Sequence, residues 1–563
     1  MNQLSIHFAH DTTFAFSPGN GIYRSYELER LTKKRYDAID FKDMFQSKYD
    51  THESEKVIKY LRDTLIKEFG DNAVKIDKFY YDQLIPDVNG GDLSSFSDNF
   101  KIHDHIFELL EKYFEMPEKR IQTSHHRNHA YGAFFQSPFD EAIIITIDGG
   151  GINSEDRNEY FNIHYINRYG DYIDLFRGDL TICCHYDALP WACSEIKGHV
   201  NASAGKIMGL TAYKGFNAHL YLDLEKHFAS KPEIDRVLVD NGKQGGFVID
   251  EDIVPLLRKH LVSTTNPNFP QYFSLDFWEG ASLAQTVQVL FENTFIKFVE
   301  PFIEKYNLPI VISGGGALNV LNNSRIKNRY KLPVYIPCNP NDTGTAIGPI
   351  LEHDNPKEQI DLRFSNWDLF DREDLPKYVK ERNGELFYLD ELAKLLREGK
   401  IIGVVKGRSE CGPRALGNRS IICDPSVPNI KDLINAKVKG REWWRPFAPM
   451  VQQDKSDIYF NWDNSPATNM SFSAITKAKY RNDLKAITHW DGTARIQTVS
   501  LEDNPWYYNL LEEMNLTGLP VLLNTSFNIQ GKPILNSIED AFYVLDNTEL
   551  DYVIIEDYIF KKK

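Results

Sequence analysis

Short apolar runs that end at acidic residues recur in the first third of the chain. The run "LSIHFAHDTTFAF" reaches Asp11 after its first apolar stretch, and "AIIITIDGGG" reaches Asp148. Each pattern predicts a buried strand that enters a tight turn with one acid and small or polar neighbours. Such a turn exposes backbone N–H groups beside a carboxylate, which suits a phosphate and its metal ion. The two runs therefore predict two similar lobes around a shared ligand.

A second pattern predicts a long buried helix that is followed by a strand, a glycine turn and another helix. Apolar residues recur at helical spacing in "ASLAQTVQVLFENTFIKFVEPF", namely Leu283, Val287, Leu290, Phe291, Phe295, Phe298 and Phe302. "LPIVISGGGALNVLNN" then supplies the strand and the turn. Gly314 and Gly315 would let the backbone approach a nucleotide, with the next helix N-terminus beside its phosphate. The same turn also suits a tight strand-to-helix connection without a ligand.

The composition of the chain changes at the start of its second half, and this change predicts a domain boundary. Residues 356–385 are polar and charged, so we expect a linker between a first domain at 1–355 and a second domain at 386–563. The second domain alternates helical and strand-like runs: "ELAKLLREG", "KIIGVVKGR", "LPVLLNTSFN" and "LDYVIIEDYIF". This alternation is typical of an α/β domain.

Length and charge narrow the class of protein. A chain of 563 residues exceeds the size of one hydrophobic core, which favours two domains. Its 64 basic and 80 acidic residues give a net charge of −16, which disfavours electrostatic binding of nucleic acid over a broad surface. The sequence has no apolar run of about 18 residues and no signal-peptide pattern, so we expect a cytoplasmic protein without a membrane span.

One candidate metal site comes from "HHRNHA". His125 and His129 are four apart, so on a helix they share one face and could chelate a metal ion. Asp148 at a strand end and Asp342 in "CNPNDTGTAIG" are candidate acids. Two imidazoles with two carboxylates suit a divalent ion, and the sequence does not distinguish Fe, Mn, Zn and Mg. The spacing alone also fits two surface or capping histidines.

A candidate anion site lies in "KGRSECGPRALGNRSIICDP", where Lys406, Arg408, Arg414 and Arg419 stand among glycines. Several charge-assisted hydrogen bonds from such groups would bind a small, doubly charged anion. A run of charge is usually a solvated face, but glycine and proline punctuate this one and an apolar stretch ends it. Further basic or polar groups follow at Lys439, Arg441, Arg445, Arg495, Asn524 and Ser526.

Together these motifs resemble the O-carbamoyltransferases of the nodulation, tobramycin and cephamycin type. The matching elements span nearly the whole chain in the family's order: HHxxHA, DGxG, "GKIMGLTAY", "SGGGALN", "DTGTAIG", "GRSECGPRALGNRSI", "RPFAP", "DGTARIQTV" and "NTSFN". The resemblance implies an α/β protein with two parts. An N-terminal actin-like (ASKHA, duplicated ribonuclease-H-like) ATP-binding domain would precede a C-terminal YrdC-like domain.

The resemblance also implies an activity. The second domain would convert ATP and carbamoyl phosphate to carbamoyladenylate, and the first would transfer the carbamoyl group to an acceptor hydroxyl. The acceptor classes are a natural product, a sugar, or a 5-hydroxymethylpyrimidine in a nucleotide or DNA; residues 33–35, "KKR", could hold a flipped base. The net charge favours a small acceptor. A homodimer is a family-level expectation.

Carried onto this sequence, the resemblance assigns four sets of residues. The implied metal ligands are His125, His129, Asp148 and Asp342. The implied nucleotide-binding residues are Gly149, Gly150, Lys206, Gly209, Gly314, Gly315, Asn319 and Asn323. Carbamoyl phosphate and ATP would be held by Lys406, Arg408, Arg414, Arg419, Arg445, Arg495, Asn524 and Ser526. The implied catalytic residues are Arg414 and the pair His10 and Asp11.

The last pair has two interpretations. His10 or Asp11 would be the base that activates the acceptor hydroxyl, because the first strand end faces the nucleotide cleft. Alternatively, Asp11 and Thr12 bind phosphate only.

Two other functions share parts of this pattern. A tRNA threonylcarbamoyl-transferring enzyme has the actin-like domain, but the "GPRALGNRS" run favours the carbamoyl-phosphate form. A non-catalytic actin-like nucleotide-binding protein would not need the metal set and the basic set together.

Overall fold

The computed structural model forms three β-sheets flanked by helices. It describes residues 1–8, 10–37, 39, 51–83, 96–152, 158–178, 180, 182–183, 186, 193, 196, 203–230, 253–261 and 275–562. Among these residues, no helix has the length and apolarity needed to cross a membrane.

The first sheet is built from the N-terminal apolar runs. Its strands are β1 (Gln3–Phe8), β2 (Thr13–Ser17), β3 (Arg24–Glu27), β4 (Lys78–Gln83) and β5 (Arg120–Gln122). The strand order is β3-β2-β1-β4-β5: the first three strands pair antiparallel, and β4 and β5 continue parallel to β1. The helices in this part of the chain are α1 (Leu28–Thr32), α2 (Thr51–Phe69), α3 (Phe96–Tyr113) and α4 (His125–Gln136), of which α4 packs against the second sheet.

The second sheet repeats this plan. Its strands are β6 (Glu141–Ile152), β7 (Asn158–Asn167), β8 (Tyr172–Gly178), β9 (Ile310–Ser313) and β10 (Val334–Tyr335). Their order is β8-β7-β6-β9-β10, again with three antiparallel strands followed by two parallel ones. The accompanying helices are α5 (Ser203–Leu210), α6 (Ala218–Ser230), α7 (Ile253–His260), α8 (Phe277–Tyr306), α9 (Val320–Tyr330) and α10 (Gly348–Asp354).

The repeated strand order confirms the prediction of two similar lobes. Each lobe has the ribonuclease-H-like arrangement, and two of them in tandem form an actin-like domain. Asp11 follows β1, and Asp148 lies in β6, the equivalent strand of the second lobe. The repetition therefore brings the ends of both apolar runs to equivalent places.

The predicted long helix is α8. Its periodic residues Leu283 and Phe295 are fully buried, and Phe298 packs at the edge of the same core. Asp276 caps the N-terminus by accepting a hydrogen bond from Glu279 N at 2.9 Å. The strand, glycine turn and helix predicted after it are β9, a 3₁₀ turn at Gly315–Leu318, and α9.

The third sheet has ten strands, which are numbered by their order along the chain. Across the sheet they lie in the order β11-β20-β19-β12-β13-β18-β14-β17-β16-β15. The strands are β11 (Glu385–Leu386), β12 (Ile402–Val405), β13 (Arg419–Cys423), β14 (Ala448–Gln452), β15 (Phe460–Asn461), β16 (Phe472–Thr476), β17 (Thr493–Val499), β18 (Val521–Ser526), β19 (Tyr552–Ile555) and β20 (Tyr558–Lys561). The helices are α11 (Leu375–Arg382), α12 (Leu389–Arg397), α13 (Ile430–Leu433), α14 (Ser456–Tyr459), α15 (Pro505–Asn515) and α16 (Ile538–Asn547). This mixed sheet agrees with the predicted α/β class.

Residues 356–385 are packed against both halves of the protein. The Trp367 side chain is buried, and its Nε1 donates to Glu27 O at 2.8 Å. Ser409 N donates to Trp367 O at 3.0 Å, which ties the same segment to the second half. The expected linker therefore makes contacts with both halves, and its bounds stay a prediction.

Close glycine packing joins the two lobes. A Cβ on Gly132 of α4 would lie 2.8 Å from Gly344 O, and one on Gly348 of α10 would lie 2.2 Å from Asn128 O. The backbones of α4 and of the segment that leads into α10 can approach this closely because neither glycine has a side chain. The approach places the first turns of α4 beside Asp342.

Gly314 offers a test of the glycine turn. Its φ is +89°, and an added Cβ would lie 2.1 Å from Ile147 O, whereas Gly70 has φ +83° with open space around it. We expect Gly70→Ala to lower the free energy of unfolding by about 1–3 kcal/mol, the cost of placing alanine in this glycine-specific backbone region at φ 83° and ψ 176°. Gly314→Ala should add about 1–3 kcal/mol of overpacking to that cost. Urea unfolding measures both variants, and equal losses would contradict the packing explanation.

Candidate active site

Two imidazoles and two carboxylates converge where the two lobes meet. His125 and His129 come from α4, Asp148 from β6 and Asp342 from the 3₁₀ turn Asp342–Gly344. Their ligand atoms all lie within 4.8 Å of one another. His129 Nε2 is 3.1 Å from both His125 Nε2 and Asp148 Oδ2, and both rings are 3.5 Å from Asp342 Oδ1. The structure thus brings together all four predicted ligands.

Local sequence explains this convergence. The four-residue spacing puts both imidazoles on one face of α4. Gly151 leaves room for His125, because a Cβ there would lie 2.3 Å from its ring. Gly315 N donates to Asp148 Oδ2 at 2.8 Å and so turns that carboxylate toward the histidines. The glycine turn therefore shapes the cluster.

The protonation preferences of the cluster oppose what burial alone would produce. Burial lowers the pKa of His125, but the carboxylates of Asp342 and Asp82 outweigh it and raise that pKa well above its usual value. Burial raises the pKa of Asp342, yet hydrogen bonds from His125 and His129 hold it well below its usual range. Nitrogen and oxygen acceptors this close together need positive charge between them, and a divalent cation with N and O ligands fits.

His10 and Asp11 lie at the rim of this cluster. His10 Nε2 is 3.6 Å from Asp342 Oδ2, and its Nδ1 is 3.4 Å from Asp11 Oδ2. The His10 side chain is about half exposed, and the desolvation that would lower its pKa is outweighed by its hydrogen bond with Asp11 and the charge of Asp342, which raise it to about 9. Asn341 Nδ2 donates to Asp11 Oδ2 at 3.3 Å and holds the acid beside the Asp342 turn.

Some of the residues predicted to bind nucleotide lie beside Asp148, whereas others are hydrogen-bonded to protein groups. Gly149, Gly150, Gly314 and Gly315 lie next to Asp148, where Gly149 has open space on its Cβ side. The Asn319 amide instead pairs with Gln288 at 3.0 and 3.1 Å. Asn323 Nδ2 donates to Ala317 O and Ser471 O. Both asparagine amides therefore bind protein.

A second site is a cavity of about 900 Å³ that both halves of the protein line. Its wall combines α5 of the first half with loops and strands of the second. Predicted residues in this wall are Lys206, Gly209, Arg414, Arg445, Arg495, Asn524 and Ser526. Arg35, Lys439 and Arg441 also line it.

Several positively charged side chains lie close together in this cavity. Burial and the charge of Arg445 lower the pKa of Arg414 to about 10. Burial, Arg414 and Arg445 together lower the pKa of Arg495 well below its usual value. Lys439 shows the same direction, caused by burial and then by Arg441 and Arg445. Each charged form is therefore destabilised by its neighbours, which an anionic ligand would reverse.

Carboxylates offset only part of this charge. Glu442 Oε1 is 2.9 Å from Lys206 Nζ, and its Oε2 is 3.4 Å from Arg445 NH1. Within the described part of the chain, Arg495 Nε is buried and has no hydrogen-bond partner. The cavity therefore retains donors for a ligand.

Three of the predicted basic residues do not line the cavity. Arg419 is fully buried, and its guanidinium donates to Lys406 O, Gly407 O and Asn536 Oδ1. Lys406 Nζ donates to Glu556 O at 2.9 Å, and Arg408 NH1 is 2.9 Å from Glu68 Oε1. These side chains bind protein groups outside the anion cavity.

Several residues at the two sites are not among the sequence predictions. Asp82 and His7 form, with His125, a second group whose ligand atoms lie within 4.8 Å of one another. Arg35 lines the cavity together with Lys33 and Lys34, the run interpreted above as a base contact, and these two lysines also pair with Asp540 and Glu53. The signal for Asp82 is its place after the aromatic run "FYY" near the end of β4, whereas nothing local marks Arg35.

Comparisons with known proteins agree with this two-part arrangement. The family model described as Carbamoyltransferase N-terminus matches residues 4–351, and Carbamoyltransferase C-terminus matches residues 393–562. Nodulation protein NolNO of Sinorhizobium fredii is 31% identical over 477 residues, which cover 80% of this chain and 65% of that protein. An uncharacterized protein of Synechocystis sp. is 30% identical over 497 residues, which cover 78% of this chain and 76% of that one.

A similar solved structure is full-length HypF in its phosphate- and nucleotide-bound form. The two sequences are 12% identical, the match covers 63% of this chain and 55% of the HypF chain, and the TM-score is 0.31.

The two family matches lie on either side of residues 352–392 and together cover most of the sequence. The chain therefore belongs to the carbamoyltransferase family and is a transferase enzyme.

Proposed function

We propose that this enzyme is an ATP-dependent O-carbamoyltransferase with two sites. The observation that carries the proposal is the group of closely spaced Arg and Lys side chains in the cavity that both halves line. Arg414, Arg445 and Arg495 lie there with Lys439 and Arg441, and they destabilise each other's charge. ATP and carbamoyl phosphate together carry roughly five negative charges. A pocket with several Arg and Lys side chains can bind both molecules, whereas a net-acidic surface cannot.

The first half-reaction forms carbamoyladenylate in this cavity. One carbamoyl phosphate, one ATP and one water balance against carbamoyladenylate, pyrophosphate and phosphate. Carbamoyl phosphate loses its phosphate to water, and the carbamate oxygen attacks the α-phosphorus of ATP, with pyrophosphate leaving. The guanidinium groups stabilise the charge on the transferring and leaving phosphates.

Two buried carboxylates position Arg414 for this role. Glu410 Oε1 accepts hydrogen bonds from four successive backbone N–H groups, those of Leu416, Gly417, Asn418 and Arg419, at 2.8–3.1 Å. On the other side of Arg414, Gly412 N donates to Glu27 Oε1, and Arg30 NH2 donates to Gly412 O at 2.8 Å. The loop that carries Arg414 is therefore anchored at both ends.

In the second half-reaction, at the metal cluster of the first domain, the acceptor oxygen attacks the carbamoyl carbon of carbamoyladenylate, its proton passes to the base, and AMP leaves. His125, His129, Asp148 and Asp342 would hold a divalent cation, which when bound supplies electrostatic stabilisation to phosphate oxygens. Gly149, which has open space on its Cβ side, leaves room for the nucleotide beside Asp148.

His10 and Asp11 are the proposed pair that activates the acceptor hydroxyl. The carboxylates that raise the pKa of His10 to about 9 include Asp342 and Asp148, two of the proposed metal ligands. Cation binding offsets this charge and favours the neutral imidazole that a base requires.

Residues 33–37 connect the two sites. Arg35 and Tyr36 line the anion cavity, and Asp37 O accepts a hydrogen bond from Thr12 N at 3.2 Å. Thr12 directly follows Asp11 at the rim of the metal cluster. A short segment thus contacts both the proposed site that makes the activated carbamoyl group and the proposed site that uses it.

The charge distribution favours a small acceptor such as a natural product or a sugar. All three residues of "KKR" line the anion cavity, and Lys33 and Lys34 are also paired with carboxylates, so the run is better placed for a small anion than for DNA. The match of residues 393–562 to the carbamoyltransferase C-terminus supports carbamoyl transfer over tRNA threonylcarbamoyl transfer.

The first experiment follows both products of the first half-reaction. Purified protein with ATP, a divalent metal and carbamoyl phosphate should release pyrophosphate and phosphate in equal amounts and form carbamoyladenylate, detected by mass spectrometry. Sugars, natural-product alcohols, nucleotides and 5-hydroxymethylcytosine DNA then serve as acceptors, and a gain of one carbamoyl mass identifies the acceptor. Folded, metal-loaded protein that releases no pyrophosphate would refute the proposal.

Arg414→Ala tests the anion cavity. Removing this guanidinium should lower carbamoyl-phosphate-dependent pyrophosphate release roughly 100-fold, because a charge-assisted contact to the transferring group is lost. Arg329→Ala is the matched control, since Arg329 is half exposed and paired with Glu300. Equal activity of the two variants would remove Arg414 from the reaction.

Glu410→Ala tests the anchoring of the loop. Four backbone donors lose their acceptor, so we expect a loss of about 3 kcal/mol in stability and a raised KM for carbamoyl phosphate. Glu385→Ala, at an exposed position of β11, should change neither quantity. Thermal unfolding and steady-state kinetics check the result, and an unchanged KM would show that the loop does not need this anchor.

A further inference from the structure

Asp82 and His7 form a buried pair behind the metal cluster. They face each other in register on the neighbouring parallel strands β4 and β1, and both side chains are buried. His7 Nδ1 is 2.7 Å from Asp82 Oδ1. Neither residue belongs to the four proposed ligands, so their role needs its own explanation.

Asp82 binds two histidines at once. Its Oδ2 lies 3.3 Å from His125 Nδ1 and accepts a further hydrogen bond from Asn128 Nδ2 at 3.2 Å. A carboxylate only accepts, so it holds both His7 and His125 with the proton on Nδ1. This arrangement is typical of metal-binding histidines, whose second ring nitrogen is fixed by a carboxylate.

The tautomer leaves both Nε2 lone pairs facing Asp342. His125 Nε2 is 3.5 Å from Asp342 Oδ1, and His7 Nε2 is 3.7 Å from Asp342 Oδ2. Within the described residues, His7 Nε2 is buried and has no hydrogen-bond partner. A buried nitrogen acceptor that faces a carboxylate oxygen is unfavourable unless positive charge lies near both.

We infer that Asp82 positions the metal centre and that His7 offers it a further nitrogen donor. The inference rests on the proposed function only in that the cluster binds a divalent cation. Three imidazoles with carboxylates favour Zn²⁺, Fe²⁺ or Mn²⁺, whereas Mg²⁺ prefers oxygen ligands and water. Asp82 and His7 thus select the class of metal and orient His125.

Metal affinity tests this inference without reference to activity. Zn²⁺ is titrated into the apo form of the full chain against a chromophoric chelator, for wild type, Asp82→Asn, His7→Ala and His7→Gln. We expect Zn²⁺ to bind about 10–100-fold more weakly in Asp82→Asn, the effect of losing a carboxylate partner of a ligating histidine. Both His7 variants should also weaken binding and change the visible spectrum of the Co²⁺-substituted protein.

His164 and Asp174 provide the matched control. They form a comparable histidine and carboxylate pair, 2.7 Å apart, outside the metal cluster. Asp174→Asn should leave the Zn²⁺ affinity and the Co²⁺ spectrum at the wild-type values. Thermal unfolding of each apo variant shows whether a weaker affinity reflects loss of fold, and His7→Gln keeps a polar side chain should His7→Ala not fold.

Two results would overturn the inference. Zn²⁺ affinities within twofold of wild type in folded Asp82→Asn and His7→Gln, with an unchanged Co²⁺ spectrum, would show that the pair is only structural. Wild type that binds neither Zn²⁺ nor Co²⁺ would remove the metal centre itself. Pyrophosphate release at the separate anion cavity distinguishes that failure from a failure of the carbamoyladenylate proposal.

Discussion

The structure depends on one buried ion pair between Glu27 and Arg30. The two side chains lie 2.9 Å apart and bind both backbone polar groups of Gly412. Gly412 also packs against Cys338, where a Cβ would lie 2.2 Å from the carbonyl oxygen. A buried charge is tolerated only when it is paired and hydrogen-bonded, so the loop and the pair require each other. This contact sets the Arg414 loop against the segment that leads to Asp342.

The two sites need ligands of opposite charge, although the protein is acidic overall. The metal cluster packs acceptors around a position that needs a cation, while the cavity packs cations around a space that needs an anion. The net charge of −16 describes the outer surface, whereas Arg414 and Arg495 act over a few ångströms within a cavity. Local arrangement therefore decides the choice of ligand, and the overall charge does not.

Local sequence patterns predicted the parts of the fold and site that depend on local geometry. The spacing of His125 and His129 follows from the helix repeat, and the acid at Asp148 follows from a strand end beside small residues. The basic motif was different, because Arg414 and Arg419 stand in the same short run and point to different places. Arg414 faces the cavity and Arg419 the core, and that direction is set by Glu410 and Gly412 rather than by spacing.

Residues brought in by distant strands or by the other half of the protein had no local signal. Asp82 reaches His7 only because β4 pairs with β1 in one register, and a shift of one residue would turn its side chain to the opposite face. Arg35 and Lys206 belong to the first half, yet they line the cavity where the second half contributes Arg414. The anion site is therefore composite. In the proposed mechanism, the step that activates the carbamoyl group therefore needs residues from both halves of the protein.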